Sequence, residues 1–244
     1  MVGTSKKVDI ENKILTALPH EELVRILPHL VSARLEKGEV IYVTGDRIRY
    51  VYFPSNGLIS LRCVSSSGST VEVAMVGDEG IIGYPVILGN WLMPYEVTVQ
   101  ITTDVLRIKA DDFQEEFNKR GALYHLTLRY LNLIIAEISQ SSLCHRFHTV
   151  EEGLIRWLLI AHDRLFSSSL NVTHETISNS LGVPRTGVTM AAGALQRAGI
   201  IRYTRGKIVI LDRARLEASS CECFRIVHDE LNRFSKEQIP SSIS

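Results

Sequence analysis

What this chain lacks narrows its function before any motif is read. It has no net charge, with 27 basic and 27 acidic residues, so the overall balance points to no class of partner. No run approaches the roughly 18 uninterrupted apolar residues of a membrane helix, and the polar start Met1 to Asn12 does not read as a secretory signal. Only four cysteines occur in 244 residues. Cys63, Cys144, Cys221 and Cys223 are too scattered for a disulfide framework, so a reducing cytoplasm is the expected location. Histidine is absent from residues 33 to 109, which removes the clustered ligands of a cupin-like metalloenzyme from the β-rich part of the chain. There is no Gly-x-Ser-x-Gly, phosphate loop or Gly-x-Gly-x-x-Gly. The carboxylates of Gly77-Asp78-Glu79-Gly80 and Asp111-Asp112 fall at turns without a paired histidine. No enzymatic activity and no cofactor are expected.

What is present is concentrated near the C-terminal end. Residues 173 to 201 have the pattern of a helix-turn-helix, in which one helix lies in a DNA major groove. Thr173 is a suitable N-cap, Ile177 and Leu181 share a face, and Gly182 supplies a turn residue that tolerates positive φ. Pro184 fits the first turn of a second helix and Gly199 the position past its end. Val188, Ala191, Ala192 and Leu195 would face inward. Thr186, Met190, Gly193 and Arg197 form the opposite stripe, flanked by Arg185 and Thr189. Between Val183 and Leu211 stand Arg185, Arg197, Arg202, Arg205 and Lys207 with no Asp or Glu, a local basic footprint of the kind phosphate contact requires. Two strand-like runs around Thr204-Arg205-Gly206 predict a β-hairpin placed as a wing. A helical hairpin packed in some other domain, or a winged helix that binds protein, is the alternative. The acid-free stretch argues against both.

The N-terminal part is organised differently. Short helical segments at Ile14 to Leu18 and Glu21 to Leu30 precede strand-like runs beginning at Glu39, Tyr50, Leu58, Thr70, Tyr95 and Asp104, separated by Gly-rich turns. Such spacing predicts a jelly-roll-like sandwich or barrel. In the fourth run Val71, Val73 and Met75 would share one face, with Glu72 and Ala74 on the other. Phe113 to Cys144 holds no Pro and one Gly, Gly121, so it reads as helix, restarting at that glycine. Tyr124, Leu128, Leu131, Ile135 and Ile138 form a short heptad-like seam that two chains could share. Packing of the same helix on the β-domain would use a similar pattern.

This order of parts resembles the Crp/Fnr family of bacterial transcription regulators over about residues 15 to 225. The residues that carry the resemblance are Leu35-Glu-Lys-Gly-Glu-Val-Ile-Tyr, Gly45-Asp46, Val51-Tyr-Phe and Gly57-Leu-Ile-Ser, and above all Thr173 to Leu211. It implies an α+β fold with an N-terminal β-roll sensor domain (1–112), a long dimerisation helix (113–145), a C-terminal winged helix-turn-helix (146–225) and a C-terminal helix or tail (226–244). It further implies a homodimer on double-stranded DNA carrying a palindromic operator, with RNA polymerase and an unidentified small-molecule effector as further partners, and no membrane. Arg185 matches the family's base-contacting arginine and is assigned to guanine. Thr186 and Met190 depart from the pattern, Met190 being suited to a thymine methyl. Thr173, His174, Thr189, Arg197, Arg202 and Arg205 complete the expected DNA surface.

The effector site departs further. Cyclic-nucleotide binders of this kind pair a Gly-Glu turn with an Arg about ten residues later. Here Gly77 to Gln100 contains no Arg, and Glu96 would repel a phosphate, so cyclic AMP is not expected. Ile81, Ile82, Gly83, Tyr84 and Tyr95, with Trp91, are the candidate lining for another small molecule, although apolar residues in a β-roll are more often core. An iron–sulfur centre of the family's oxygen-sensing branch is ruled out by the lack of any Cys before Cys63. Haem would need His125 or Cys144, and a lone helical His is usually a packing or surface residue. Cys144, His145 and His148 with Cys221-x-Cys223 resemble a zinc set, but a one-residue gap is shorter than usual and nothing in the sequence joins the segments. No metal is assigned.

Overall fold

The computed structural model describes residues 10–165 and 167–236. The start of the chain and the tail after Lys236 therefore lie outside the described residues. Two short helices, α1 (Lys13–Thr16) and α2 (His20–Ile26), lead into strands β1 (Val31–Leu35), β2 (Val40–Tyr42), β3 (Tyr50–Pro54), β4 (Leu58–Val64) and β5 (Thr70–Val76). After the 3-10 turn Tyr84–Leu88 come β6 (Glu96–Ile101) and β7 (Thr103–Lys109). They form two antiparallel sheets, β1-β7-β3 and β2-β6-β4-β5. Between them lies a core of Phe53, Ile59, Leu61, Val97, Val99, Leu106 and Ile108. This is the expected β-roll, with one strand the sequence did not reveal. β1 alternates Val31, Ala33 and Leu35 with Ser32 and Arg34, but it is only five residues long and of these only Leu35 is buried. The simple alternation expected for β5 also fails, because Glu72, Ala74, Met75 and Val76 are all buried; both faces of that strand are covered.

Helix then replaces strand. α3 (Ala110–Asn118) ends before Gly121, and α4 (Ala122–Phe147) begins directly after it. The carboxylate of Glu22 accepts the amides of Ala122 and Leu123 at 2.7 and 3.0 Å, satisfying two donors at the start of α4. Leu123, Leu126, Tyr130, Leu133 and Ile134 bury themselves against the roll. The seam residues divide. Leu131 is buried, Tyr124 is tilted against Phe117 at 4.7 Å between ring centres, and Ile138 packs partly on the core. Leu128 and Ile135 remain exposed, Ile135 at 60%.

The C-terminal unit begins two residues after α4. It comprises α5 (Val150–Leu165), β8 (Ser169–Leu170), α6 (His174–Leu181), α7 (Arg185–Arg197), β9 (Ile201–Thr204), β10 (Lys207–Ile210), α8 (Arg213–Ala218) and α9 (Glu222–Lys236). Thr149 and Glu152 close a reciprocal cap at the start of α5, where the Glu152 carboxylate accepts the Thr149 amide at 2.8 Å. A second core of Leu154, Trp157, Leu158, Ile177, Val188, Leu195, Ile208 and Phe224 holds this unit together. Leu58 and Met75 of the roll also belong to that core, so the unit is docked on β4 and β5. α9 runs back along α4, where Arg129 donates to the carbonyl of Phe234 at 3.0 Å.

Candidate DNA interface and its attachment to the roll

The helix-turn-helix forms for local reasons. The Thr173 hydroxyl accepts the Thr176 amide at 3.0 Å, closing the N-terminus of α6. Gly182 ends that helix at φ +65°, and Val183 donates to the Ser178 carbonyl at 3.1 Å, a left-handed terminus that favours glycine. Pro184 sits immediately before α7 at φ −59°, one residue earlier than expected. Val188, Ala191, Ala192 and Leu195 are buried, and their small size brings α6 and α7 together. The opposite face of α7 is open: Arg185, Thr186, Thr189 and Arg197 are exposed, and Met190 is 74% exposed.

The wing is a two-residue hairpin. Thr204 pairs with Lys207, while Arg205 (φ +44°) and Gly206 (φ +81°) form the turn, as hairpin twist demands of a two-residue loop. β10 also pairs with β8, a strand of two residues that the sequence did not announce. A Cβ on Gly206 would lie 3.5 Å from Thr173, so the wing tip sits beside the start of α6. Arg202, Arg205 and Lys207 are exposed there. Arg215 donates to the Ala198 carbonyl at 3.0 Å, covering the end of α7.

Two expectations change in space. His174 is buried rather than presented outward. Its ring stacks on Tyr203 at 4.0 Å and its Nδ1 meets the Thr189 hydroxyl at 3.0 Å. Burial, helped by the nearby Arg185 charge, lowers its pKa. His174 therefore ties α6, α7 and the wing to one another instead of presenting its ring outward. The acid-free stretch also acquires an acid from outside it: Glu175 approaches Arg185 at 3.9 Å, both side chains being largely exposed. Such a pair is worth at most about 1 kcal/mol, so Arg185 leaves it readily.

The candidate effector-pocket residues pack into the roll. Ile81, Ile82, Gly83 and Tyr84 are buried in the roll core, and the Tyr84 hydroxyl meets that of half-buried Tyr95 at 3.4 Å. Burial pushes the Tyr84 pKa upward. Glu96 pairs with Arg62 of the neighbouring strand, which offsets its charge. Glu79 turns away from the roll interior. It accepts from Arg164 of α5 at 2.6 Å, and Arg164 also donates to Glu137 of α4 at 2.6 Å, all fully buried. Glu137 in turn accepts the Met75 amide at 2.9 Å. Gly80 belongs to the same contact, because a Cβ there would lie 2.6 Å from the Tyr130 ring. A turn that in cyclic-nucleotide binders holds ligand is here a joint between roll, long helix and DNA-binding unit.

A second joint lies alongside. Glu72 of β5 accepts from Trp157 of α5 at 2.9 Å and from the hydroxyls of Ser60 and Ser180. Burial raises its pKa to about 7 against the pull of Ser60, with Glu137 adding to the rise and Arg156 opposing it. Sequence reasoning noticed Glu72 and Glu79 only as a face residue and a turn residue; no local pattern marks a buried charge.

Two protein-family models match the chain. A cyclic nucleotide-binding domain covers residues 33–120 and a Crp-like helix-turn-helix domain covers residues 153–219. The chain belongs to the Crp/Fnr family of transcription regulators. Among curated relatives, the global nitrogen regulator of Synechococcus elongatus is 24% identical over 217 residues, spanning 84% of this chain and 96% of that one. The fold is shared with the solved structure of FixK2 from Bradyrhizobium japonicum (TM-score 0.69, 18% identity, 79% and 98% covered). It is shared equally with a Crp/Fnr-family regulator from Eubacterium rectale (TM-score 0.66, 20% identity, 84% and 96% covered). This Crp/Fnr regulator accordingly binds DNA through its C-terminal unit. No helix among its described residues is long and apolar enough to cross a membrane.

Proposed function

We propose that this regulator acts as a homodimer on a palindromic operator, reading one half-site with α7 of each protomer, and that cyclic AMP is not its effector. The observation that carries the reading is the open face of α7, with Arg185, Thr186, Met190 and Arg197 outward and the basic wing beside it. An arginine at the first turn of such a helix is suited to a bidentate contact with guanine O6 and N7. The wing arginines Arg202 and Arg205 are placed for phosphates, with exposed Thr173 beside the wing tip; the Thr189 hydroxyl is taken up by the Arg185 carbonyl and His174. Dimerisation is supported by Leu128 and Ile135, exposed one heptad apart on α4, with Leu143 and Phe147 exposed further along. Independence from cyclic AMP is supported by the buried engagement of Glu79 with Arg164 and by the packed residues Ile81, Ile82 and Tyr84.

The test is selection of purified protein on a random duplex library, with and without cyclic AMP. A palindrome recovered equally under both conditions is expected. A palindrome recovered only with the nucleotide would overturn the assignment of the roll. Recovery of single, unrepeated half-sites would overturn the dimer.

A further inference from the structure

The fold assembles a cluster that the sequence keeps apart. Cys144 lies in the last turn of α4 and His148 directly follows that helix; Cys221 precedes α9 and Cys223 lies in its first turn. Their Sγ and ring-nitrogen atoms all lie within 4.8 Å of one another. Cys144 Sγ is 3.9 Å from Cys221 Sγ, and Cys223 Sγ is 3.6 Å from His148 Nδ1. A zinc ion with Zn–S near 2.3 Å and Zn–N near 2.0–2.1 Å has tetrahedral donor–donor edges of about 3.5–3.8 Å. The two measured separations are thus those of ligands around one metal. A disulfide would bring the sulfurs to about 2.05 Å, far shorter than the distance found. A polynuclear iron–sulfur cluster would hold its ligands farther apart, because its own atoms lie between them. His145, the neighbour of Cys144 in the chain, is not part of the cluster.

From this geometry we infer that Cys144, His148, Cys221 and Cys223 form a Cys3His site for a single tetrahedral divalent metal ion of the zinc type. The surroundings have what such a site needs. The other ring nitrogen of His148, Nε2, faces the Glu222 carboxylate at 3.5 Å, the carboxylate–histidine arrangement that fixes the tautomer of a metal ligand. Three thiolates and a divalent ion carry one net negative charge, and buried Arg156 supplies a positive one. Its charge acts on both Cys144 and Cys223, it makes no ion pair among the described residues, and its one hydrogen bond goes to Ser141 at 3.1 Å. Of the four, Cys221 lines a cleft of about 300 Å³ with Ser220 and Phe224. The one-residue gap between Cys221 and Cys223 is workable because the helix begins between them, so the two sulfurs come from different backbone directions.

The position gives the site a consequence. Ligands 77 residues apart close the chain around α5 to α8, the DNA-binding unit, at the point where it leaves the long helix. Metal would pin the start of α9 to the junction at His148 and Thr149, and so hold the orientation of α7 relative to α4.

The test uses the full chain, reduced and stripped of metal, titrated with cobalt(II) and followed by visible absorption, with zinc as competitor. One cobalt per chain is expected, with the intense ligand-field bands of a four-coordinate ion, thiolate-to-cobalt charge transfer, and displacement by stoichiometric zinc. Cys221→Ser and Cys223→Ser should each abolish the four-coordinate spectrum. His148→Cys should keep one cobalt per chain with stronger charge transfer, which separates loss of a ligand from loss of folding. Glu222→Gln should weaken affinity by about tenfold. Absence of stoichiometric uptake by the folded parent would overturn the site, as would a weak six-coordinate spectrum or uptake that survives both serine substitutions. So would formation of a Cys144–Cys221 disulfide in the presence of stoichiometric zinc.

Discussion

Replacing Arg164 with Met removes the cation held between Glu79 and Glu137. Both contacts are 2.6 Å and all three side chains are buried, so neither carboxylate can recover its hydration. Removing one partner of a buried ion pair costs about 3–5 kcal/mol. Here two acids are stranded, so the upper part of that range is expected. With 2–4 °C per kcal/mol for a chain of this size, Tm should fall by about 6–20 °C. Adding Glu79→Gln and Glu137→Gln should restore most of the loss, because the charges go while acceptors remain for Gly77 and Met75. Urea unfolding monitored by the fluorescence of Trp157, itself buried at the joint, supplies the values. An Arg164→Met protein within about 1 kcal/mol of the parent at pH 7, or a triple variant no better than the single one, would refute the reasoning.

Other substitutions separate the remaining roles. Arg185→Ala should cost about 1–3 kcal/mol on the operator and relax preference at one base pair. Arg205→Ala should weaken all sequences alike and reduce the salt slope by about one; competition with random DNA across a salt series distinguishes them, and equal losses for both variants would contradict the division. Glu72, with its pKa raised to about 7 from an ordinary value of 4.5, is easier to protonate when folded. It therefore contributes stability below about pH 4.5 that is lost between there and pH 7. Glu72→Gln should flatten that decline and raise Tm at pH 8, as calorimetry would show. Ile135→Asp, placed on exposed surface of the single chain, should leave thermal stability of the protomer nearly unchanged while shifting sedimentation from dimer to monomer. An unaltered dimer would place the interface elsewhere.

The parts legible in the sequence are those specified by neighbours along the chain. Thr173, Gly182 and Gly199 each answer a local backbone requirement, and the spacing of Val188, Ala191, Ala192 and Leu195 alone divides α7 into two faces. The break between α3 and α4 was readable at Gly121 for the same reason. β1 and β8 were not read, since one is a five-residue alternation with a single buried side chain and the other is two residues long. The burial of His174 was not legible, because its position beside an N-cap says nothing of the wing tyrosine that closes over it. Ile81, Ile82 and Tyr84 were ambiguous by nature: the same side chains line a pocket or fill a core, and only the packing distinguishes them. The joints were out of reach altogether, and the cysteine cluster could be named as a set but not joined, because nothing along the chain brings its two segments together. Arg164 meets partners 85 and 27 residues away, and composition gives no reason to expect such charges in an interior.

These long-range contacts share one consequence. Beyond the apolar contact of Leu58 and Met75, the DNA-binding unit is attached to the turn at Glu79, to β5 at Glu72, and to the end of α4 through the cysteine cluster. A further exposed contact joins Lys37 to the Asn171 carbonyl at 2.8 Å. The first two attachments are buried and polar, so each is strong only while geometry is kept; partial separation strands charge in a medium that cannot solvate it. Such joints favour two discrete arrangements, docked or released, over a continuum of tilts. Moving a docked population from 99:1 to 1:99 requires about 5.5 kcal/mol of differential binding, comparable with the expected cost of losing Arg164 alone. Of the two buried joints, the one at Arg164 holds the turn at Gly77 to Gly80 of the roll to α4 and α5, so disturbing it is expected to loosen the docked arrangement.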